Sequence, residues 1–421
     1  MEALKRSVYE EILLESTDGS KSVDIAPGTV MIDYYEDIFS PTLTAKLQVV
    51  NEGNSITGED GNLQSIYNGL PLRGGETVTI KVKGNSEDNP GLDLSFFVSS
   101  ISNVITRKKS ESFTLNLVSI GAITNETSRV GRKYPTSNKI SESVKDIVKN
   151  YLMDKRDVDV DPTQNPYGFI GNMRKPFTLL MWLASKSVPE KSKDDATAGY
   201  LFYETVTGFH FRSIDSIIDG KPVAKYYSSE IIKQGNNDYK IIRYSTSLNA
   251  DVLGKLQRGA YCSYRIFFDP LTFNYTDPTK GPFKLEDYKS AATLGKDVVL
   301  PGNLGNAPSR YVTAIMDRGT MEKDASKKEN ADPTLSQSQS LMRYNSVFSQ
   351  KLSMTIPSNT NLEAGDIIEC EFALTTREKS AIDTEQSGLY MIKELCHHFD
   401  VSGSYTSLTL IKDTFGTKAK W

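Results

Sequence analysis

Apolar and polar positions alternate with a period of two near both ends of the chain, the spacing of strands that bury one face. Residues 30–35 (VMIDYY) and 43–50 (LTAKLQVV) carry β-branched and aromatic side chains in partial alternation. Residues 51–61, rich in Gly, Asn and acids, read as a loop. In residues 72–82 (LRGGETVTIKV) a Gly-Gly turn opens a strand with Val78, Ile80 and Val82 on one face and Thr77, Thr79 and Lys81 on the other. Residues 96–104 and 113–118 predict two more strands, with the polar run Arg107 to Glu111 as the hairpin tip between them.

The period changes after about residue 125. In residues 140–152 (ISESVKDIVKNYL), Ile140, Val144, Ile147, Val148, Tyr151 and Leu152 fall at helical spacing, and Ser137 or Asn138 is placed to cap the start. Residues 176–184 (PFTLLMWLA) predict a second helix with Pro176 in its first turn, where proline is tolerated. Residues 199–204 and 208–212 read as a strand pair turning near Thr207-Gly208. This is a small α/β module. Strands resume at 240–244 and 261–268, whereas 277–333 has weak periodicity and reads as an inserted loop region. Leu341, Tyr344, Val347 and Phe348 suggest a short helix, and the residues that follow are again strand-rich.

The two strand-rich ends resemble each other. Leu72, Gly75, Glu76, Val78, Ile80 and Val82 line up with Leu362, Gly365, Asp366, Ile368, Cys370 and Phe372. Each copy has a leucine, then a glycine and an acid, then an alternating apolar face. Phe97 precedes Leu115 and Leu117 by the same distances that separate Tyr390 from Leu408 and Leu410. The fold class that follows is mainly β with an α/β insertion: two similar β-barrels, at 1–125 and 226–421, flank an α/β middle domain at 126–225. The second barrel carries the long insertion around 277–333. Three copies of such a chain present six similar units around one axis, and interface symmetry constrains what docks there.

Bulk composition narrows the function. A chain of 421 residues suggests roughly two to four domains. Hydrophobic residues make up 38% and charged residues 24%, as in a globular protein with a hydrated surface, and 21 Tyr and 17 Phe favour strands. A net charge of −4 argues against a protein that grips nucleic acid by its phosphates. It leaves open a lumen through which DNA passes without being held. Cys262, Cys370 and Cys396 are odd in number and far apart, and they read as buried thiols in a reducing cytoplasm. The N-terminus lacks a long apolar core and no stretch reaches the length of a membrane span, so synthesis and folding in a cytoplasm are expected.

At the level of whole segments, the chain resembles the baseplate hub proteins of contractile-tailed bacteriophages and the hubs of related contractile injection systems. The likeness rests on GLPLRGGETVTIKV with FFVSSISNVITRKKSESFTLNLVS, and on the helices ISESVKDIVKNYL and PFTLLMWLA with GYLFYETVTGFHFRS. It continues through LNADVLGKLQRGAYCSYRIFFDP and the closing MTIPSNTNLEAGDIIECEF and SGLYMIKELCHHFDVSGSYTSLTLIKDTFG. The resemblance implies tail-tube-like barrels and a homotrimeric ring in the virion baseplate, adapting a threefold central spike to the sixfold tail tube. DNA would pass through its lumen. It further implies contacts with a spike protein and with a tail tube or tube-initiator protein, and with tape-measure and wedge proteins. Assembly in the host cytoplasm and a separate spike polypeptide are expected, with no membrane insertion by this chain.

Candidate chemistry is sparse. His397 and His398 are neighbours on a predicted strand, so they face apart and do not share a metal. His210, between Phe209 and Phe211, is expected to face solvent or an interface. Asp157, Asp159 and Asp161 share one side of an extended segment, a calcium-like arrangement that lacks a glycine turn and a bidentate glutamate. The motifs of zinc peptidases, P-loop enzymes and serine hydrolases are absent. Cys396 beside His397 is the only near pair for a cysteine peptidase, and strand neighbours face apart. No catalytic, metal or cofactor residue is therefore assigned, and the chain is expected not to be an enzyme. The alternatives are a carbohydrate- or receptor-binding module stacking sugars on Tyr226, Tyr227 or Tyr275, and a cell-wall-degrading tail enzyme.

Overall fold

The computed structural model describes the chain except residues 1–3, 54, 58–60, 87–88, 155, 157, 191–196, 229–230, 232–236, 278, 280–281, 285–291, 297–299, 301, 303, 320–329, 331–332, 377–380 and 418–421. The fold is mainly β. The N-terminal half contributes β1 (Val8–Glu15), β2 (Thr29–Asp37), β3 (Thr44–Asn51), β4 (Thr77–Ser86), β5 (Asn89–Thr106) and β6 (Glu111–Val118). The middle module contains α1 (Ile140–Ile147), α2 (Pro176–Ala184), β7 (Tyr200–Thr205) and β8 (Gly208–Ser213). The C-terminal half begins with β9 (Ala224–Ser228) and β10 (Arg243–Asn249). After an interruption holding β11 (Cys262–Asp269), β12 (Arg310–Ile315) and α3 (Thr334–Ser346), it resumes with β13 (Gln350–Pro357) and β14 (Ile367–Glu371). It closes with β15 (Gly388–Asp400) and β16 (Ser404–Lys412).

Strand order repeats. In the first half neighbours run β1–β4–β5–β6–β3–β2; in the second they run β9–β14–β15–β16–β13–β10. One difference stands out: β1 pairs with β4 antiparallel, whereas β9 pairs with β14 parallel. The halves meet edge to edge, because β2 pairs antiparallel with β15 and so joins both into one sheet of fourteen strands. Core residues from the two halves, among them Leu47, Val78, Leu115, Ile356, Ile368 and Leu408, pack in one apolar cluster. The first-half connection from β2 to β3 is a short turn. The matching connection from β10 to β13 holds the whole interruption, residues 250–349, where β11 and β12 pair in a small separate sheet.

The repeated leucine–glycine–acid run has one geometry in both places. Gly75 and Gly365 have φ of 93° and 98°, left-handed values that favour glycine. The Gly75 amide donates to the Val98 carbonyl at 2.8 Å, and the Gly365 amide donates to the Ile392 carbonyl at 2.9 Å. The acid closes each turn: Glu76 accepts from the Arg73 amide at 2.7 Å, and Asp366 accepts from the Glu363 amide at 2.9 Å. Three expectations shift by a residue or more. The strand after the first of these turns starts at Thr77, because Leu72 to Glu76 are the turn itself. The counterpart of Phe97 is Met391, not Tyr390, since Phe97 pairs with Val118 and Met391 with the corresponding Ile411. Helix α1 is capped at Lys139, whose amide donates to Glu142, and not at Ser137 or Asn138.

Candidate functional site

The sheet has one face on the core; the module and α3 cover part of the other, against Ile367, Met391 and Ile411, and the rest of that face is open. The open faces of both halves line a single groove of about 830 Å³. Alternation places its side chains: with Ile32, Tyr34 and Glu36 turned into the core, Asp33, Tyr35 and Asp37 point out, and the exposed Thr44 and Lys46 follow suit on β3. Ser353, Thr355, Ser407 and Thr409 contribute hydroxyls from the second half, and Arg243 and Glu394 add one charge of each sign. Such a wall mixes hydroxyls, apolar groups and charges of both signs, with no run of cations of the kind that retains a phosphate backbone.

Where β2 meets β15, the two halves are held by a histidine. His398 Nδ1 lies 2.5 Å from Asp33 Oδ1, and Nε2 lies 3.1 Å from Asp400 Oδ2. The hydrogen bond with Asp33 raises the pKa of His398, so its charged form is favoured. His397 points the other way. It stacks on Tyr34, bonds to Thr406 at 3.0 Å, and burial pulls its pKa down to about 4. The two histidines thus face apart. Cys396 lies on the open face near Asp33, Cys262 and Cys370 are buried, and none of the three forms a disulfide.

The β7–β8 hairpin tip wedges between the halves through carboxylates. Glu36, core-facing on β2, accepts from the Tyr34 hydroxyl at 2.5 Å, the Val206 amide at 2.9 Å and the Ala364 amide at 2.7 Å. One side chain thereby ties the first half, the module and the turn next to Gly365. Its burial raises its pKa to about 8. Glu204 accepts from the Leu43 amide at 3.1 Å and the Ser119 hydroxyl at 2.6 Å, and it pairs with Arg156. Burial is the main cause of the rise in its pKa. Thr205 and Thr207 donate to Glu363 of the second half. His210 belongs to the same contact: it stacks on Tyr203 and bonds to Thr205 and Asp159. Farther out, buried Arg343 on α3 pairs with Asp215 at 2.8 Å and Asp413 at 3.2 Å, fixing the interruption to the module and the second half.

Several expected site residues are not brought together. Asp157 lies outside the described residues. Asp159 pairs with His210 and Arg212, and Asp161 accepts from the Ser213 amide and the Ser216 hydroxyl. Among the described residues, no group of three or more His, Cys, Asp or Glu side chains is placed to hold a metal ion. Tyr226 and Tyr227 are 0% and 8% exposed, with Tyr226 packed in the core beside Tyr239, so neither offers a ring to a sugar. Tyr275 is 67% exposed and packs its ring near Phe268. No described helix is long and apolar enough to cross a membrane.

No family model matches the chain, and no curated protein matches it. Two solved structures share its fold almost end to end. A tail protein from Neisseria meningitidis MC58 is 10% identical with a TM-score of 0.53, and the match covers 96% of each chain. A 43 kDa tail protein of prophage MuSo2 from Shewanella oneidensis is 13% identical with a TM-score of 0.52, covering 96% of this chain and 98% of that one. At these identities the likeness is one of fold. The chain has the mainly β architecture of these tail proteins over nearly its whole length.

Proposed function

We propose that this chain is a structural subunit of a phage tail baseplate, the hub that forms a trimeric ring between a threefold spike and the sixfold tail tube. The end-to-end likeness in fold to two tail proteins carries the reading. The repeated strand order supports its symmetry, because three chains with two like halves offer six similar units to a neighbour. The groove supports a conduit role, since its hydroxyl-rich wall of mixed charge gives DNA little to bind. In this reading the protein acts by assembly and holds no catalytic site or cofactor.

Purified full-length protein is expected to be a trimer in solution and to bring down the spike protein made from the same tail gene cluster. A monomer at micromolar concentration that captures no spike protein would contradict the proposal. Zymography on purified peptidoglycan tests the absence of hydrolase activity, and a clearing zone would contradict that part.

A further inference from the structure

The internal junction shows how one half of this fold grips the next, and among the described residues two edges of the sheet lack that grip. Along β15 one edge pairs with β14 as far as Met391, then with β2 from Glu394 to Asp400. Its counterpart β5 pairs on the same edge with β4 only as far as Phe97. Among the described residues no strand pairs with that edge beyond Phe97. The counterpart of β2 is β10, which pairs with β13 on one side. No described strand pairs with its other side. Two edges of the sheet therefore correspond, among the described residues, to the two partners of its own central junction.

These edges lack the usual protection. Residues 98–106 (VSSISNVIT) contain neither charge nor proline, and β10 (RYSTSLN) has a single charge at its start. Val104 and Ile105 are 41% and 53% exposed, and Ile242 and Tyr244 are 41% and 37% exposed. At the internal junction, the residues matching Tyr244 and Thr106 are Ile32 and Phe399, each 1% exposed. A pair of edges with no described partner strand, which the same chain already knows how to join, points to a second copy of itself.

We propose that β10 of one subunit pairs antiparallel with residues 101–106 of β5 in the next, in the register that β2 and β15 set within the chain. This rests on the trimeric reading above and names the contact that closes its ring. Transferring the β2–β15 register through the shared neighbours puts Ser245 opposite Ile105, Tyr244 opposite Thr106, Leu248 opposite Ser102 and Asn249 opposite Ile101. Within the proposed contact each strand carries one extra residue relative to its own neighbour, β5 between Ser102 and Ile105 and β10 between Thr246 and Leu248. The two irregularities fall opposite each other. The transferred register therefore runs through them without a slip, although nothing in the chain fold alone required that. The contact is heterologous, edge β10 on edge β5, which closes into a ring when the rotation permits.

The test places cysteines at Ile105 and Ser245 of the full chain, in a Cys396→Ser background that removes the thiol on the open face. Mild oxidation of the I105C/S245C protein is expected to give covalent dimers and trimers on a non-reducing denaturing gel. Each single variant stays monomeric on that gel. A one-residue mismatch, Thr106→Cys with Ser245→Cys, puts the thiols on opposite faces and gives no ladder. A trimeric mass in solution without cross-linking of the matched pair, or with efficient cross-linking of the mismatched pair, overturns the edge assignment and leaves the ring itself standing. A monomeric mass overturns both.

Discussion

Replacing Glu36 with alanine tests how the three parts of the subunit are locked. The change removes the acceptor for the Val206 and Ala364 amides and for the Tyr34 hydroxyl in a dry site. A buried donor left without a partner costs about 1–3 kcal/mol. Two backbone amides that cannot turn away, with a hydroxyl that can, put the loss at about 4 kcal/mol. That is a large share of the roughly 5–15 kcal/mol that separates a native domain from its unfolded chain. Glu36→Gln keeps one acceptor oxygen and should lose less than half as much. The sign of the pH effect follows from the raised pKa. The folded state favours the neutral acid, so the Glu36 contribution is fullest below the ordinary glutamate range and declines as pH rises through about 8. Urea denaturation of the three proteins at pH 6 and pH 8.5 reads both effects. A midpoint for Glu36→Ala that matches the parent, or a glutamine variant with the parent's pH profile, would refute the three-way lock.

Other expectations are simpler to state. His398→Ala should flatten the pH dependence that remains in Glu36→Gln: the charged imidazole is favoured in the fold, so its stabilisation is present below about pH 6.5 and fades as pH rises past its raised pKa. Thermal melts across that range check it. Arg343→Met strands the buried Asp215 and Asp413 carboxylates, and should cost about 3–5 kcal/mol by denaturant titration. Gly75→Ala and Gly365→Ala both force an L residue into a left-handed conformation at about 1–2 kcal/mol. Gly365→Ala should be the worse of the two, because its new Cβ would stand 2.7 Å from the Tyr203 hydroxyl whereas that of Gly75 meets nothing closer than 3.8 Å. Equal losses would count against the packing difference between the halves.

Much of this architecture is legible in the residues, and what escapes does so for identifiable reasons. Strands with one buried face announce themselves by alternation, and the Gly75 and Gly365 turns are visible because left-handed backbone selects glycine. Glu36 was within reach. The alternation in VMIDYYED puts it on the core face with Ile32 and Tyr34, where a carboxylate demands partners. Which partners it has is set by loops far away in sequence, and no local pattern encodes them. The same holds for the β2–β15 junction, where backbone groups pair strands more than 350 residues apart. The exposed aromatics expected at Tyr226 and Tyr227 failed because contacts distant in sequence cover them: Tyr226 packs in the core beside Tyr239, and its hydroxyl accepts from the Asn359 side chain. The one-residue offset between Tyr390 and Met391 comes from a second β-bulge in β5, between Ser102 and Ile105, which β15 lacks and which breaks register without a clear mark in the sequence.

Imaging of the purified full-length protein tests the central claim most directly. Class averages by electron microscopy should show a threefold ring around an opening wide enough for duplex DNA, with six similar lobes at its rim. Averages showing only single compact particles, from a sample whose mass in solution is that of one chain, would contradict it.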